Sequence, residues 1–416
     1  MILQIALNDN RYMKPIVRIK GFEKDWISCL LSDCLTICNE RNHQLQYGKK
    51  DALSVSDEYG VVNQIQHLGR SYAGKDVSGY KILRKNQIVY TKSPLKQKPY
   101  GIIKVNDNED GIVSVLYAVY DTQNGICPDF LNRYFEPHGR INKYLIPIIN
   151  KGAKNTINVS DAQALQGRIN IPVSEDEQKA IAGFFSDLDK LIVASTNRVS
   201  SLRKMKAASL QAMFPQKGET IPRVRFKGFE GDWEEKAFSD ITFHAGVKNR
   251  ENLPLESYSI SNEHGFIPQN EQFENGGTMS SADKRMYYIV SPNSFAYNPA
   301  RINVGSLGYY RGEKDVIVSS LYEVFKTTED INDIFLFYWF KTNVFNKMIE
   351  LYQEGGVRLY FFYDKLCQCS AMVPSIEEQS MIANYFTTID KQISLEEQKL
   401  ESLKRIKSAC LDKMFV

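Results

Sequence analysis

Two stretches of the chain repeat apolar residues at three- and four-residue steps. The first runs through Ile181, Phe184, Leu188 and Leu191 to Leu202 and Met205. The second runs through Ile382, Tyr385 and Ile389 to Leu403, Ile406 and Cys410. That spacing predicts helices carrying a coiled-coil seam. Each stretch opens with a proline (Pro172, Pro374) and then a serine followed three positions later by glutamate, Ser174/Glu177 and Ser375/Glu378. This reads as a capping box, in which each side chain satisfies the other residue's free backbone N–H. Neither Gly nor Pro interrupts Asn197 to Phe214, or Ser375 to Val416. About forty residues at ~1.5 Å each make a rod of ~60 Å. One apolar stripe on so long a helix needs a partner, and an antiparallel pair of the two is expected.

Between these helices the pattern changes to β-branched and aromatic bursts that predict strands. The segment from Gln87 to Lys104 lines up with Ser294 to Arg311, with Pro94 and Pro299 set in register. VSVLYAVY (Val113 to Tyr120) lines up with VSSLYEVF (Val318 to Phe325). Aromatic helical stretches follow, Phe130 to Phe135 and Ile334 to Phe345, and then turns combining Gly with a basic residue, KGAKN from Lys151 and EGGVRL from Glu354.

The chain is therefore two copies of one plan. PIVRIKGFEKDWISCLLSD (Pro15 to Asp33) returns as PRVRFKGFEGDWEEKAFSD (Pro222 to Asp240). The helix starts repeat as well: Glu177–Gln178, Phe185 and Asp189–Lys190 return as Glu378–Gln379, Phe386 and Asp390–Lys391. The match continues through Lys206/Lys407, Leu210/Leu411, Met213/Met414 and Phe214/Phe415. Residues 34–165 and 241–365 share far less, so a common scaffold carries divergent loops, as two readers of different targets would. Arg18/Arg225, Lys20/Lys227 and Trp26/Trp233 occur in both halves. They cannot encode different targets and are expected to anchor the opening segment to the helix pair or to a partner subunit.

Composition narrows the classes. At 416 residues the chain exceeds one ordinary domain. A net charge of +3 is mild for a protein holding DNA by charge alone, so any such binding must come from local patches. Seven cysteines, an odd number, read as reduced thiols. MILQIAL is too short and lacks the basic flank of a signal segment, and no run of ~18 apolar residues occurs, so a cytoplasmic protein without membrane contact is expected.

The doubled PIVRIKGFEKDW/PRVRFKGFEGDW segments, the proline-led E–Q helix starts and the two divergent middles together resemble the specificity (DNA-recognition) subunits of type I restriction–modification enzymes. The resemblance covers nearly the whole chain; the residues before Pro15 lie outside it. It implies an α+β architecture: two mixed α/β target-recognition domains in tandem repeat, separated by two long antiparallel coiled-coil helices. The expected divisions are 1–165, with the opening segment 15–33; 166–214, the first spacer helix; 215–365, with the opening segment 222–240; and 366–416, the second spacer helix. The resemblance also implies the partners. Each domain would read one half of a bipartite site in double-stranded DNA. The helices would set the gap and dock two methyltransferase subunits, to which nuclease/translocase subunits add.

The chain's own chemistry points away from catalysis. No GxxxxGK loop followed by Ser or Thr is present, and no glycine-rich strand–helix turn suited to a cofactor adenosine, so no cofactor is expected. YNPA (Tyr297 to Ala300) lacks the second proline and the aromatic of an amino-methyltransferase motif, and reads as a turn at a strand end. The five histidines have no ligand-spaced partners, so no metal is expected. A self-contained DNA adenine methyltransferase, a fused restriction enzyme and a coiled-coil adaptor without a DNA role are the competing readings. Bases are read by Arg, Lys, Asn and Gln, and phosphates are held by Lys and Arg. The candidate DNA contacts are Lys92, Lys96, Lys98, Lys154 and Asn155 in the first middle. In the second they are Arg301, Asn303, Tyr309, Tyr310, Arg311 and Arg358.

Overall fold

The computed structural model describes residues 3–5, 13–95, 97–151, 157–262, 265–272, 283–356 and 358–416. The chain divides into two compact units. One comprises residues 1–196 and 398–416, the other residues 197–397. The cut does not follow the sequence halves, because each unit takes part of both long helices.

In the first unit a four-stranded antiparallel sheet has the order Leu35–Cys38, Tyr117–Thr122, Ile88–Thr91, Ile102–Val105. A separate pair joins Ile27–Leu30 of the opening segment to Arg168–Ile171, the strand that leads into the first long helix. Helix Pro128–Tyr134 buries Phe130, Leu131 and Tyr134 in the core. The second unit repeats this order with Thr242–His244, Glu323–Thr327, Ser294–Tyr297 and Leu307–Tyr310, and pairs Glu234–Ala237 with Ser370–Val373. Its aromatic helix is Asp333–Trp339.

The two bursts expected as single strands are each broken. Gly111–Val113 is separated from Tyr117–Thr122, and Val316–Val318 from Glu323–Thr327, by turns in which Tyr117 N donates to Ser114 O and Tyr322 N to Ser319 O. The long aromatic stretch after Ile334 is likewise two helices. The first ends at Trp339, and Thr342 caps Asn343–Tyr352, its hydroxyl accepting from Phe345 N. The fully buried Tyr90 and Tyr297 take equivalent places in the second-last strands, so Pro299 matches Lys92 and the two prolines fall out of register.

The long helices span Glu175–Ala212 and Ile376–Lys413, 38 residues each. Within each unit their segments run antiparallel. In the second unit Arg203 meets Glu397 at 2.6 Å, Lys206 bonds Asp390, and Ser209 Oγ lies 2.9 Å from the Tyr385 hydroxyl. In the first, Lys407 pairs with Asp189 at 2.7 Å, and Phe415 stacks on Phe185 at 6.0 Å. The seam itself departs from the spacing read in the sequence. Leu191, Met205 and Ile406 are exposed, while Phe185 and Phe386 are fully buried. The helices turn these rings into the domain cores, and the buried stripe follows.

Each core is closed by the end of the helix that arrives from the other half of the sequence. Phe415 packs against Trp26, Phe130, Tyr134 and Phe185. Phe214 packs against Trp233, Phe335 and Phe386 in the same geometry: the Phe415–Phe130 and Phe214–Phe335 pairs both measure 5.5 Å and 38°. Among the described residues no helix is long and apolar enough to cross a membrane.

Candidate nucleic-acid interface

The repeated Glu–Gln pair at each helix start holds the elements that frame the site. Arg18 donates from Nε and Nη2 to the two carboxylate oxygens of Glu177, both at 2.7 Å, and Trp26 Nε1 adds a bond of 3.2 Å. Arg225 repeats the fork on Glu378 at 2.8 and 2.7 Å. The shared arginines and tryptophans thus anchor the opening segment to the helices. The glutamates, read in sequence as halves of capping boxes, are spent on these forks, because a buried bidentate guanidinium–carboxylate pair outweighs an N-cap bond. The next residue fixes the aromatic helix: Gln178 accepts from Cys127 N at 2.9 Å and Gln379 from Asn332 N at 2.8 Å. That role was not read in the sequence.

In the second unit this framework encloses a cleft of about 920 Å³ whose lining includes Asn303, Tyr309, Arg311, Phe337, Lys341 and Lys391. Its wall carries the loop after the strand Ser294–Tyr297, where Arg301 and Asn303 are exposed. Arg311 lies over two rings, 5.7 Å from Tyr309 and 5.9 Å from Phe337. Lys341 Nζ stands 4.1 Å from the Phe337 ring centre. The residue is open to the cleft, yet crowding by surrounding protein, then Lys206 and Arg311, push its ammonium down to about 8 against the pull of Asp390. Burial and then the Asp333 carboxylate raise the Tyr309 phenol, which donates to Asp333 at 2.7 Å, with Asn293 Oδ1 3.0 Å away.

Arg358 lies exposed in a turn closed by reciprocal Glu354–Tyr360 backbone bonds of 2.9 and 2.8 Å. Phe361 N beside that turn donates to Pro299 O at 3.1 Å, which brings the Arg358 turn next to the Arg301 loop. Tyr310 also lines the cleft, but it is buried and its hydroxyl is committed to Lys314 O at 2.8 Å. Tyr297 of YNPA is fully buried in the core and ends its strand, as a turn would require.

The first unit keeps fewer of its expected contacts at the surface. Lys92 and Lys81 both hold Asp161, at 2.7 and 2.6 Å. Those bonds overcome burial and keep the Asp161 carboxyl below its usual range. Lys98 is directed inward, with 2% of its surface exposed, to Asp57 at 2.6 Å and Glu136 O at 2.9 Å. A buried lysine with two such partners fastens the loop and presents no charge to a phosphate. Lys96, Lys154 and Asn155 lie outside the described residues.

Lys341, Lys391 and Lys206 were not singled out in the sequence, because two of them lie on long helices read as scaffold. The signal that finds Lys341 is the alignment of the aromatic helices, Phe130/Phe335 and Leu131/Leu336, which sets Glu136 opposite it.

Residues 232–405 match the family model described as the type I restriction modification DNA specificity domain. A curated relative, the putative type I restriction enzyme MjaX specificity subunit of Methanocaldococcus jannaschii, is 21% identical over 306 residues. The match covers 68% of this chain and 65% of that protein, just under two thirds of the relative's length. Among solved structures, the type I restriction–modification S subunit from M. genitalium is similar with a TM-score of 0.55 at 12% identity, covering 97% of this chain and 99% of that one. The HsdS subunit from Thermoanaerobacter tengcongensis gives a TM-score of 0.49 at 15% identity, covering 94% and 96%.

Proposed function

We propose that this chain, which belongs with the specificity subunits of type I restriction–modification systems, reads a bipartite sequence in double-stranded DNA without catalysing any step itself. Each unit recognises one half of the site. The two long helices fix the unspecified gap and dock two methyltransferase subunits, to which nuclease/translocase subunits add, in the cytoplasm. The observation that carries this reading is a scaffold repeated down to ring geometry, bearing two differently charged and differently shaped loop surfaces. Identical frames with divergent faces suit two readers of different targets.

Of the candidate contacts, Arg301, Asn303, Arg311 and Arg358 stand where DNA could reach them, with Tyr309 on the cleft wall. Lys92, Lys96, Lys154 and Asn155 are proposed for the first unit. Lys98 supports its loop from behind, and Tyr310 lines the cleft with its hydroxyl committed to Lys314 O. A self-contained methyltransferase is disfavoured by the absence of a cofactor loop in the sequence, and by Arg301 standing where the motif's aromatic would be.

Mapping methylated adenines in random DNA exposed to the complete complex tests the reading. Two short specified motifs separated by a fixed unspecified gap are expected. A single continuous motif, or methylation without sequence preference, contradicts it.

A further inference from the structure

The Gln178–Cys127 and Gln379–Asn332 bonds fix the equivalence of the two aromatic helices, so Arg133 corresponds to Tyr338 and Glu136 to Lys341. The same places on the long helices hold Asp189 or Asp390, and Lys407 or Lys206. In the first unit these groups form a closed ring of charge. Arg133 pairs with Glu136 at 3.0 Å and Asp189 at 2.6 Å, and Lys407 with Glu136 at 2.6 Å and Asp189 at 2.7 Å. Two cations meet two anions and nothing is left over. Burial would raise the Glu136 carboxyl, but Lys407 and then Arg133 hold it below its usual range.

The second unit breaks this balance. Lys206 and the Tyr338 hydroxyl, at 2.7 Å, share Asp390, and the position of Glu136 is taken by a further cation. Lys341 makes no ion pair among the described residues and faces the cleft over Phe337. A second reversal adds to it. Ile88 pairs with Val105, and the equivalent Phe295 with Tyr309, so the strand register sets Asp107 of the first unit opposite Arg311 of the second. Two positions that are acidic in one unit are basic in the other, and both basic residues border one cleft.

We infer that the second unit's cleft holds a backbone phosphodiester of DNA at Lys341 and Arg311 around Phe337, a subsite the first unit lacks. The inference rests on the DNA-reading function proposed above. Lys206, Lys341 and Arg311 face Asp390 alone, so this corner has an excess of positive charge that a phosphodiester's negative charge offsets, and a guanidinium and an ammonium are its usual partners. The charged groups facing Lys341 are Lys206 and Asp390 from the long helices and Arg311 from the sheet, and the two cations outweigh the one anion.

The sign of the pH effect follows. The folded value of Lys341 lies below that of a free lysine. Its charge therefore works against the fold at low pH, and the penalty is relieved as pH rises through about 8. A bound phosphate restores the ammonium, so binding takes up a proton near and above that pH, and affinity falls as pH rises past it.

The test uses the full chain and a random-sequence duplex, with affinity measured against salt at about pH 7 and about pH 9. Lys341→Gln should weaken binding roughly 3- to 10-fold, make the slope of log K against log salt shallower by ~0.9, and remove the loss of affinity between the two pH values. Lys341→Arg should keep the affinity and the slope but lose the pH dependence, because a guanidinium does not titrate there. An unchanged slope, or a pH dependence that survives in Lys341→Gln, overturns the assignment. Inorganic phosphate is the second probe, and it separates this inference from the DNA reading. If the native chain binds no duplex but phosphate raises its melting temperature and not that of Lys341→Gln, the anion site stands and the DNA reading falls. If phosphate stabilises both proteins alike, the site is not at Lys341.

Discussion

Arg18 and Glu177, 159 positions apart, face each other through two parallel bonds of 2.7 Å with almost no solvent between them and the core. Removing one partner of such a pair strands the other charge in the interior, at a cost of about 3–5 kcal/mol. Arg18→Ala should therefore lower the unfolding free energy of the first unit by that measure, read from the shift of its denaturant midpoint multiplied by the m-value. Arg225→Ala should do the same to the second unit by less, because its guanidinium is more open to water. A neutral Arg18→Ala would mean that the opening segment is held by packing alone.

The aromatic clusters give a second expectation. Phe415 and Phe214 each fill a core from a helix end, so Phe415→Ala should destabilise the first unit and Phe214→Ala the second, each by about 3–5 kcal/mol. Calorimetry should show one transition moving at a time. If both shift together for either substitution, the division at residues 196/197 and 397/398 is not a division in stability.

What the sequence disclosed was what packing repeats. Trp26/Trp233, Arg18/Arg225 and Phe214/Phe415 are legible because a buried ring or fork tolerates no substitute, so both copies kept them. The breaks at Ser114 and Ser319 were not legible, since a turn of exposed residues leaves no periodic mark. Local reading gave Glu177 and Glu378 to their own helix starts, whereas distant arginines claim them. It gave Lys98 to the surface, whereas Asp57, 41 positions earlier, draws it inward. The cleft was hidden for a related reason. Lys341 is one lysine after an aromatic run, and its meaning depends on Lys206, Asp390 and Arg311, which only folding brings together.

Arg301 tests base reading in the loop. Arg301→Ala should weaken specific binding by roughly 1–3 kcal/mol and relax preference at a single position. An equal loss on every sequence, with a shallower salt dependence, would make it a phosphate contact. No change at all would remove the loop from the interface.

The helices give a geometric expectation. Inserting four residues after Thr196 and four after Gln398 keeps both antiparallel segments in step and lengthens the pair by ~6 Å. At ~3.4 Å per base pair, the preferred gap should grow by one to two base pairs, with both half-site sequences unchanged. A gap that stays put in a folded, bound protein would show that these helices do not set the spacing.

The central claim is that two units read two half-sites independently. Its most direct measurement is to exchange residues 34–165 for the corresponding middle of a type I specificity subunit, and to map the bases that the reconstituted complex methylates. One half-site should change to the donor's, while the other half-site and the gap remain. If both half-sites change, or neither does, the two-reader account is wrong.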